Sequence, residues 1–180
     1  MPQATYQQKA FLLLVGLSFL GLKFGYRQAE LQDLWLFLQP TSHLVALASS
    51  STSVFIAGEG FMNSALGICI DKSCAGFNFF TLCFVMLSFL AYQRVSTGYR
   101  ITWFIPALLL LSYILTILVN TTRILFSTFL HQPKLNLMAS PPPWLHEAEG
   151  AFVYLSFLVL IYLGFQFLLS AQNQAHEELA

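Results

Sequence analysis

Four stretches of this chain run almost uncharged over close to the length of roughly 20 residues that a helix needs to cross a bilayer. They extend from about Ala10 to Tyr26, Ala75 to Tyr92, Ile101 to Val119 and Gly150 to Leu169. Lys23 alone interrupts them, near one end of the first, where its stem can carry the ammonium to the interface. Pro106 falls in the first turns of the third, where a helix tolerates it. Of the residues, 57% are hydrophobic and 9% charged, against about a quarter charged in a soluble domain. No soluble core of this size hides that much apolar surface, but lipid accepts it. The expected fold is all-α: a polytopic transmembrane helical bundle with four spans, forming one integral membrane domain over 1–180. Its core would be 10–170, with a flexible polar tail at 171–180. No convincing small-residue cleavage site follows the first stretch, so it reads as a retained helix or signal anchor.

The segments between spans are less regular. Leu31 to Ala57 has an apolar LWLFL run, interrupted by Gln39-Pro40-Thr41-Ser42-His43 and followed by a Ser/Thr cluster at 49–53. It is expected as an amphipathic or half-inserted helix at the membrane surface, with a complete span as the alternative. A short hairpin is expected between Phe55 and Ile70, and SPPPW in the 131–149 loop argues against a continuous helix there. The QRVSTGYR loop carries Arg94 and Arg100 without an acid, which assigns it to the cytoplasm. Segments 51–74 and 120–149 then lie outside, and the tail with His176, Glu177 and Glu178 inside. The orientation rests on that loop, because Lys23, Arg27, Lys72, Arg123 and Lys134 fall outside under it.

Net charge is zero, so no nucleic-acid partner is suggested. Cys69, Cys74 and Cys83 form neither a disulfide framework nor a zinc spacing, and neither a metal nor a cofactor is expected. Three reactive side chains do fall at one membrane level, each from a different helix end. Cys74 follows Asp71-Lys72-Ser73 and opens the second span, where the helix dipole favours a thiolate. Arg123 lies one turn past the third span, in an apolar setting where a guanidinium is expensive and usually functional. It cannot act as a base but can hold an oxyanion or carboxylate, and Asn120 at i−3 could add a second donor. Its bland reading is an interfacial anchor. His146, one turn before the fourth span, is the candidate acid–base, with Glu149 at i+3 to orient it. Cys83, His43, His131 and His176 read as structural. The GLKFG spacing at 21–25 fits a helix-packing motif under any function.

The run IDKSCAGFNFF (70–80), the NTTRI segment (120–124) and the LHEAEG segment (145–150) resemble the Cys, Arg and His motifs of the exosortase/archaeosortase family. The short length and the SCAGFNFF wording are most similar to its small exosortase K branch. The resemblance covers roughly 36–170, including LQPTSHL before the Cys loop. It implies a membrane-embedded cysteine transpeptidase of the bacterial cytoplasmic (inner) membrane, with its site facing the extracytoplasmic side. The implied partners are exported proteins bearing a C-terminal sorting signal: a short motif (Pro-Glu-Pro in the best-known class), a hydrophobic helix and a basic cluster. Carried over, Cys74 is the nucleophile, His146 the acid–base and Arg123 the oxyanion or carboxylate stabiliser, with Asn120, Glu149 and Asp71 in support. Many members have about eight spans; this chain would be close to a catalytic core. Two alternatives stand beside it: a membrane thiol–disulfide oxidoreductase using Cys69 and Cys74, and a non-catalytic subunit or small transporter.

Overall fold

The computed structural model describes residues 2–92, 101–130 and 143–177, with side chains for 6, 8–92, 104–130 and 148–168. It contains helices α1 (Pro2–Gln28), α2 (Trp35–Ala48), α3 (Phe77–Tyr92), α4 (Ile101–Leu130) and α5 (Pro143–Glu177). Between α2 and α3 lie strands β1 (Val54–Ile56), β2 (Gly60–Asn63) and β3 (Ile68–Ile70), then a 3-10 turn at Lys72–Cys74. Among the described residues, four segments are long and apolar enough to cross a membrane: Gln8–Gln28, Lys72–Tyr92, Phe104–Leu130 and Ala148–Leu168. The fold is the expected polytopic helical bundle.

The helices do not share the interior equally. The second span is 61% buried, against 11% for the first and 6% for the last, so α3 is the central rod. Phe79, Cys83, Leu87 and Leu90 of α3 pack with Val119 of α4, which makes Cys83 an ordinary core residue. Leu13, Leu20 and Phe24 of α1 and Phe152, Leu160 and Phe167 of α5 are exposed. In lipid such faces carry no penalty, since the acyl chains are as apolar as the side chains. Gly21 and Gly25 have open space where a Cβ would stand, so neither glycine of GLKFG serves a close helix contact among the described residues.

Several boundaries differ from expectation. α4 does not stop near Val119 but continues to Leu130. The polar Asn-Thr-Thr-Arg run stays helical, and its threonine hydroxyls are satisfied by carbonyls of their own helix. Thr121 and Thr122 donate to the carbonyls of Ile117 and Leu118 at 2.8 and 3.0 Å, and the apolar ILFSTFL follows. α5 begins at Pro143 inside SPPPW, because a proline at the first helical position forfeits only an N–H with no intrahelical partner. It runs to Glu177, so most of the tail expected to be flexible is helical. The QRVSTGYR loop on which orientation rests, together with Lys134 and His131, lies outside the described residues, as does the side chain of His176.

α2 has 14 residues, about 21 Å at the helical rise, too short for the roughly 30 Å hydrocarbon core. By its length α2 fits the expected half-inserted helix better than the complete span. Gln39 to His43 does not break it. Pro40 cannot donate to the Leu36 carbonyl, and the Tyr113 hydroxyl of α4 does so instead at 2.7 Å. Leu38, Thr41, Ser42 and Val45 form the buried face, at helical spacing.

In place of one hairpin there is a three-stranded antiparallel sheet in the order β1-β2-β3. Phe61 pairs with Phe55 on one side and Ile70 on the other. Gly60 is required there: its φ is +128°, and a Cβ would stand 2.5 Å from the Ile70 carbonyl oxygen. Fully buried Asn63 donates to Ser51 and Ser53 and accepts from the Leu66 amide, tying down the Ser/Thr cluster. Phe61 and Ile70 join Leu34, Leu38 and Val45 of the preceding segment, Ala75, and Ile124 of α4 in one core. The sheet therefore caps one end of the bundle and presents β3 beside the turn holding Cys74.

Tyr113→Phe should destabilise the protein by about 1 kcal/mol, and much less in a Pro40→Ala background, where the restored N–H can serve Leu36. Thermal unfolding of the four proteins in detergent measures this cycle; equal losses in both backgrounds would refute it.

Candidate functional site

The up-and-down course of the helices brings the C-terminal ends of α1 and α4 together with the N-terminal ends of α3 and α5. Side chains lock these ends to one another. Tyr26 of α1 stacks on Phe77 of α3 with ring centroids 4.3 Å apart and planes 5° from parallel. Lys23 donates to Asn78 Oδ1 at 2.8 Å. Lys72 donates to the Ala29 carbonyl and lies 5.2 Å from the centre of the Tyr26 ring, while Tyr26 Oη donates to the Lys72 carbonyl at 3.1 Å. The turn before α3 is thus clamped from the α1 side.

Cys74 is the last residue of that 3-10 turn, not the first of α3; the α-helix begins at Phe77, after Gly76. Asp71 caps the turn, accepting from the Ser73 amide at 2.9 Å and the Ser73 hydroxyl at 2.6 Å. The Ser73 hydroxyl stands 3.8 Å from Cys74 Sγ. Since Ser73 has one proton and gives it to the carboxylate, the thiol is the donor in that contact. Gly76 sits at φ +69°, and a Cβ there would stand 2.9 Å from Asn120 Cγ. The glycine lets the turn close against α4.

Asn120 is fully buried, and both ends of its amide are committed. Nδ2 donates to the Cys74 carbonyl, and Oδ1 accepts from the Tyr154 hydroxyl at 2.7 Å. Tyr154 in turn accepts from Arg123 Nη1 at 3.2 Å, and the guanidinium carbon lies 5.1 Å from the centre of its ring. Phe79 packs on the same ring at 5.1 Å. Gly150, one turn before Tyr154, completes the setting: a Cβ there would stand 2.5 Å from Arg123 Nε and 2.9 Å from Nη2. A guanidinium at an apolar helix face is thereby accommodated by a phenol, a π face and bare backbone.

Arg123 forms part of the walls of two cavities of about 390 Å³ each. The first is bounded by β3 and α4 and contains Cys69, Cys74, Arg123, Ser127 and Thr128. The second lies among α1, α3 and α5, between Tyr26, Ser73, Asn78 and Leu82, and its α5 wall includes Gly150 and Tyr154. Cys74 and Arg123 therefore share a chamber. Arg123 is well inside α4, not past its end, so it reaches this level from a continuous helix. Asn120, expected as a second donor, spends one N–H on the Cys74 carbonyl and its oxygen on Tyr154. His146 lies in the first turn of α5, four residues before Gly150, not in a loop before the span; its side chain is outside the described residues. Glu149 is half-buried on the same helix.

Tyr154, Gly150, Gly76 and Ser73 escaped the sequence reading. For Tyr154 there was a signal: a phenol in the lipid-crossing FVYLSF run needs a partner for its hydroxyl, and Gly150 at i−4 shares its face. Comparison with family models, curated proteins and solved structures returns no match to this chain.

Cys69 and Cys74 are both free thiols. What desolvation Cys69 has, then the carboxylates of Asp71 and Glu59 and the Cys74 sulfur, raise its pKa above the ordinary cysteine value. A raised pKa means less thiolate at a given pH. At about pH 8, just below the ordinary cysteine range, iodoacetamide should label Cys69 more slowly than free cysteine, with the deficit closing as pH rises. Equal rates at that pH would contradict it. Gly76→Ala should lower stability by about 1–2 kcal/mol from the left-handed backbone alone, read as a fall in unfolding temperature.

Proposed function

We propose that the protein is a membrane-embedded cysteine peptidase or transpeptidase acting on the C-terminal sorting signals of exported proteins. The observation that carries this reading is the chamber in which the Cys74 thiol and the Arg123 guanidinium share the walls at one end of an apolar bundle. A nucleophile and a held cation lining one chamber, beside lipid, suit acyl transfer from a substrate whose own tail lies in the membrane. The resemblance of the Cys, Arg and His segments to exosortases supports the same assignment.

In the proposed reaction His146 takes the proton of the Cys74 thiol, and the resulting thiolate attacks the scissile carbonyl carbon. A C–S bond forms as the carbonyl π pair moves to oxygen, and Arg123 stabilises that oxyanion. The pair returns, the C–N bond breaks, and the leaving amine takes a proton from His146, one helical turn before Gly150. The resulting thioester is resolved by an acceptor amine or by water. Before the proton leaves, Ser73, accepting from the Cys74 thiol and donating to Asp71, holds the sulfur's rotamer. The site would face the extracytoplasmic side of a bacterial inner membrane, where exported substrates arrive.

A thiol–disulfide enzyme is the rival that the chamber also accommodates, since Cys69 lies in the same wall. The two readings separate by mutation. Cys74→Ala should abolish processing of a tail-bearing substrate, with the protein still inserted, while Cys69→Ser leaves processing within about twofold, as an exposed and conservative change should. Processing by Cys74→Ala, followed by immunoblot of substrate size, would sink the peptidase reading. Equal loss in both variants would favour the redox one.

A further inference from the structure

We propose that α5 holds the guanidinium of Arg123 between the Cys74 chamber and the cavity beside it, through a cradle of Gly150 and Tyr154, with Tyr154 as a positioning residue. The inference rests on the reading of Arg123 as the charged group serving Cys74, but not on any particular substrate.

Three contacts define the cradle. The Tyr154 hydroxyl accepts from Nη1 at 3.2 Å, its ring lies 5.1 Å from the guanidinium carbon, and bare backbone at Gly150 admits Nε and Nη2. Gly150 and Tyr154 are i and i+4, so they stand one above the other on one helix face. The phenol is itself fixed, donating to the buried Asn120 amide at 2.7 Å and packed by Phe79. That amide also holds the Cys74 carbonyl. One hydrogen-bonded path thus runs from guanidinium to phenol to amide to the backbone of the nucleophile's own turn. A long arginine side chain would otherwise lose considerable rotamer entropy on being held at one bearing. The cradle restricts it in advance and keeps it between two cavities instead of letting it snorkel to the interface.

The two halves of the cradle make opposite demands on mutation. Tyr154→Phe removes the acceptor and leaves the ring. Gly150→Ala leaves the acceptor and pushes the guanidinium out, because the new methyl would overlap Nε and the flexible end of the arginine is what must yield. Both should release the charge from its bearing.

The test compares alkylation of Cys74 by iodoacetate and by iodoacetamide, in the full chain reconstituted in phosphatidylcholine nanodiscs, with adducts quantified by peptide mass spectrometry. In either reaction the thiolate displaces iodide and a thioether forms, so the amount of thiolate cancels from the rate ratio. What remains is the charge facing the incoming reagent. Asp71 and Lys72 share the Cys74 turn in every variant, so their effect cancels between proteins. The wild-type ratio should favour iodoacetate by about fivefold over that of Arg123→Gln, as expected for one nearby cation under solvent-like screening, and Tyr154→Phe and Gly150→Ala should each fall most of the way to the Arg123→Gln value. Cys83, which is fully buried, should stay unlabelled in each, reporting an intact bundle. A folded Tyr154→Phe or Gly150→Ala protein that keeps the wild-type ratio overturns the cradle, as does a wild-type ratio insensitive to Arg123→Gln. Should one variant fail to fold, the other decides. Because no substrate is used, these outcomes are independent of whether Cys74→Ala loses processing.

Discussion

In an apolar bundle a fully buried carboxamide has to find partners for both of its ends, and the choice Asn120 makes organises one whole end of this protein. Its amide nitrogen holds the carbonyl of Cys74, and its oxygen receives the hydroxyl of Tyr154. With water excluded, either bond left unmade would cost as much as a typical buried polar deletion, about 1–3 kcal/mol. The turn before α3 and the first turns of α5 are therefore pulled to the same point on α4. The close approach also dictates two glycines, since a side chain at 76 would meet the amide and one at 150 would meet Arg123.

Lipid changes what the remaining residues mean. Exposed phenylalanines and leucines on α1 and α5 are ordinary solvent contacts in a bilayer, whereas Arg123 demands a local explanation. The explanation is a setting made of a phenol, its ring face and open backbone. A guanidinium so held is fixed in direction, which is what a proposed oxyanion stabiliser requires, because preorganised charge needs no rearrangement as the reaction proceeds. The sheet between α2 and α3 closes the other side of the chamber with β3. The membrane would then bring a substrate's hydrophobic tail and the proposed nucleophile into the same plane.

The long spans were legible because hydropathy over about 20 residues is a sum, insensitive to single residues. Where one contact decides, the sequence misled. Pro40 looks like a helix break until Tyr113 is seen serving the carbonyl it strands. Asn120 to Arg123 looks like the end of a span until the threonines are seen bonding back to Ile117 and Leu118. The single expected hairpin became a three-stranded sheet because Ile70 also found a partner in Phe61. Cys74 and Arg123 were picked out as chemically unusual in an apolar chain, and they do share a chamber. Asn120 was picked out too, as a second donor beside Arg123, whereas the structure shows it bonded to the Cys74 carbonyl and the Tyr154 hydroxyl.

Composition and the four apolar runs by themselves determined that this chain is a helical membrane protein. They also made its few reactive polar side chains conspicuous, because transfer free energy depends on residue type and run length, both of which are read along the chain. Which of those side chains meet, and at what bearing, was decided only in three dimensions. Tyr154 and Arg123 are 31 residues apart, and Asn120 and Cys74 are 46 apart. Hydrogen-bond partners at such separations follow from helix packing, and no local pattern encodes which partner a buried amide or a lipid-embedded phenol will take.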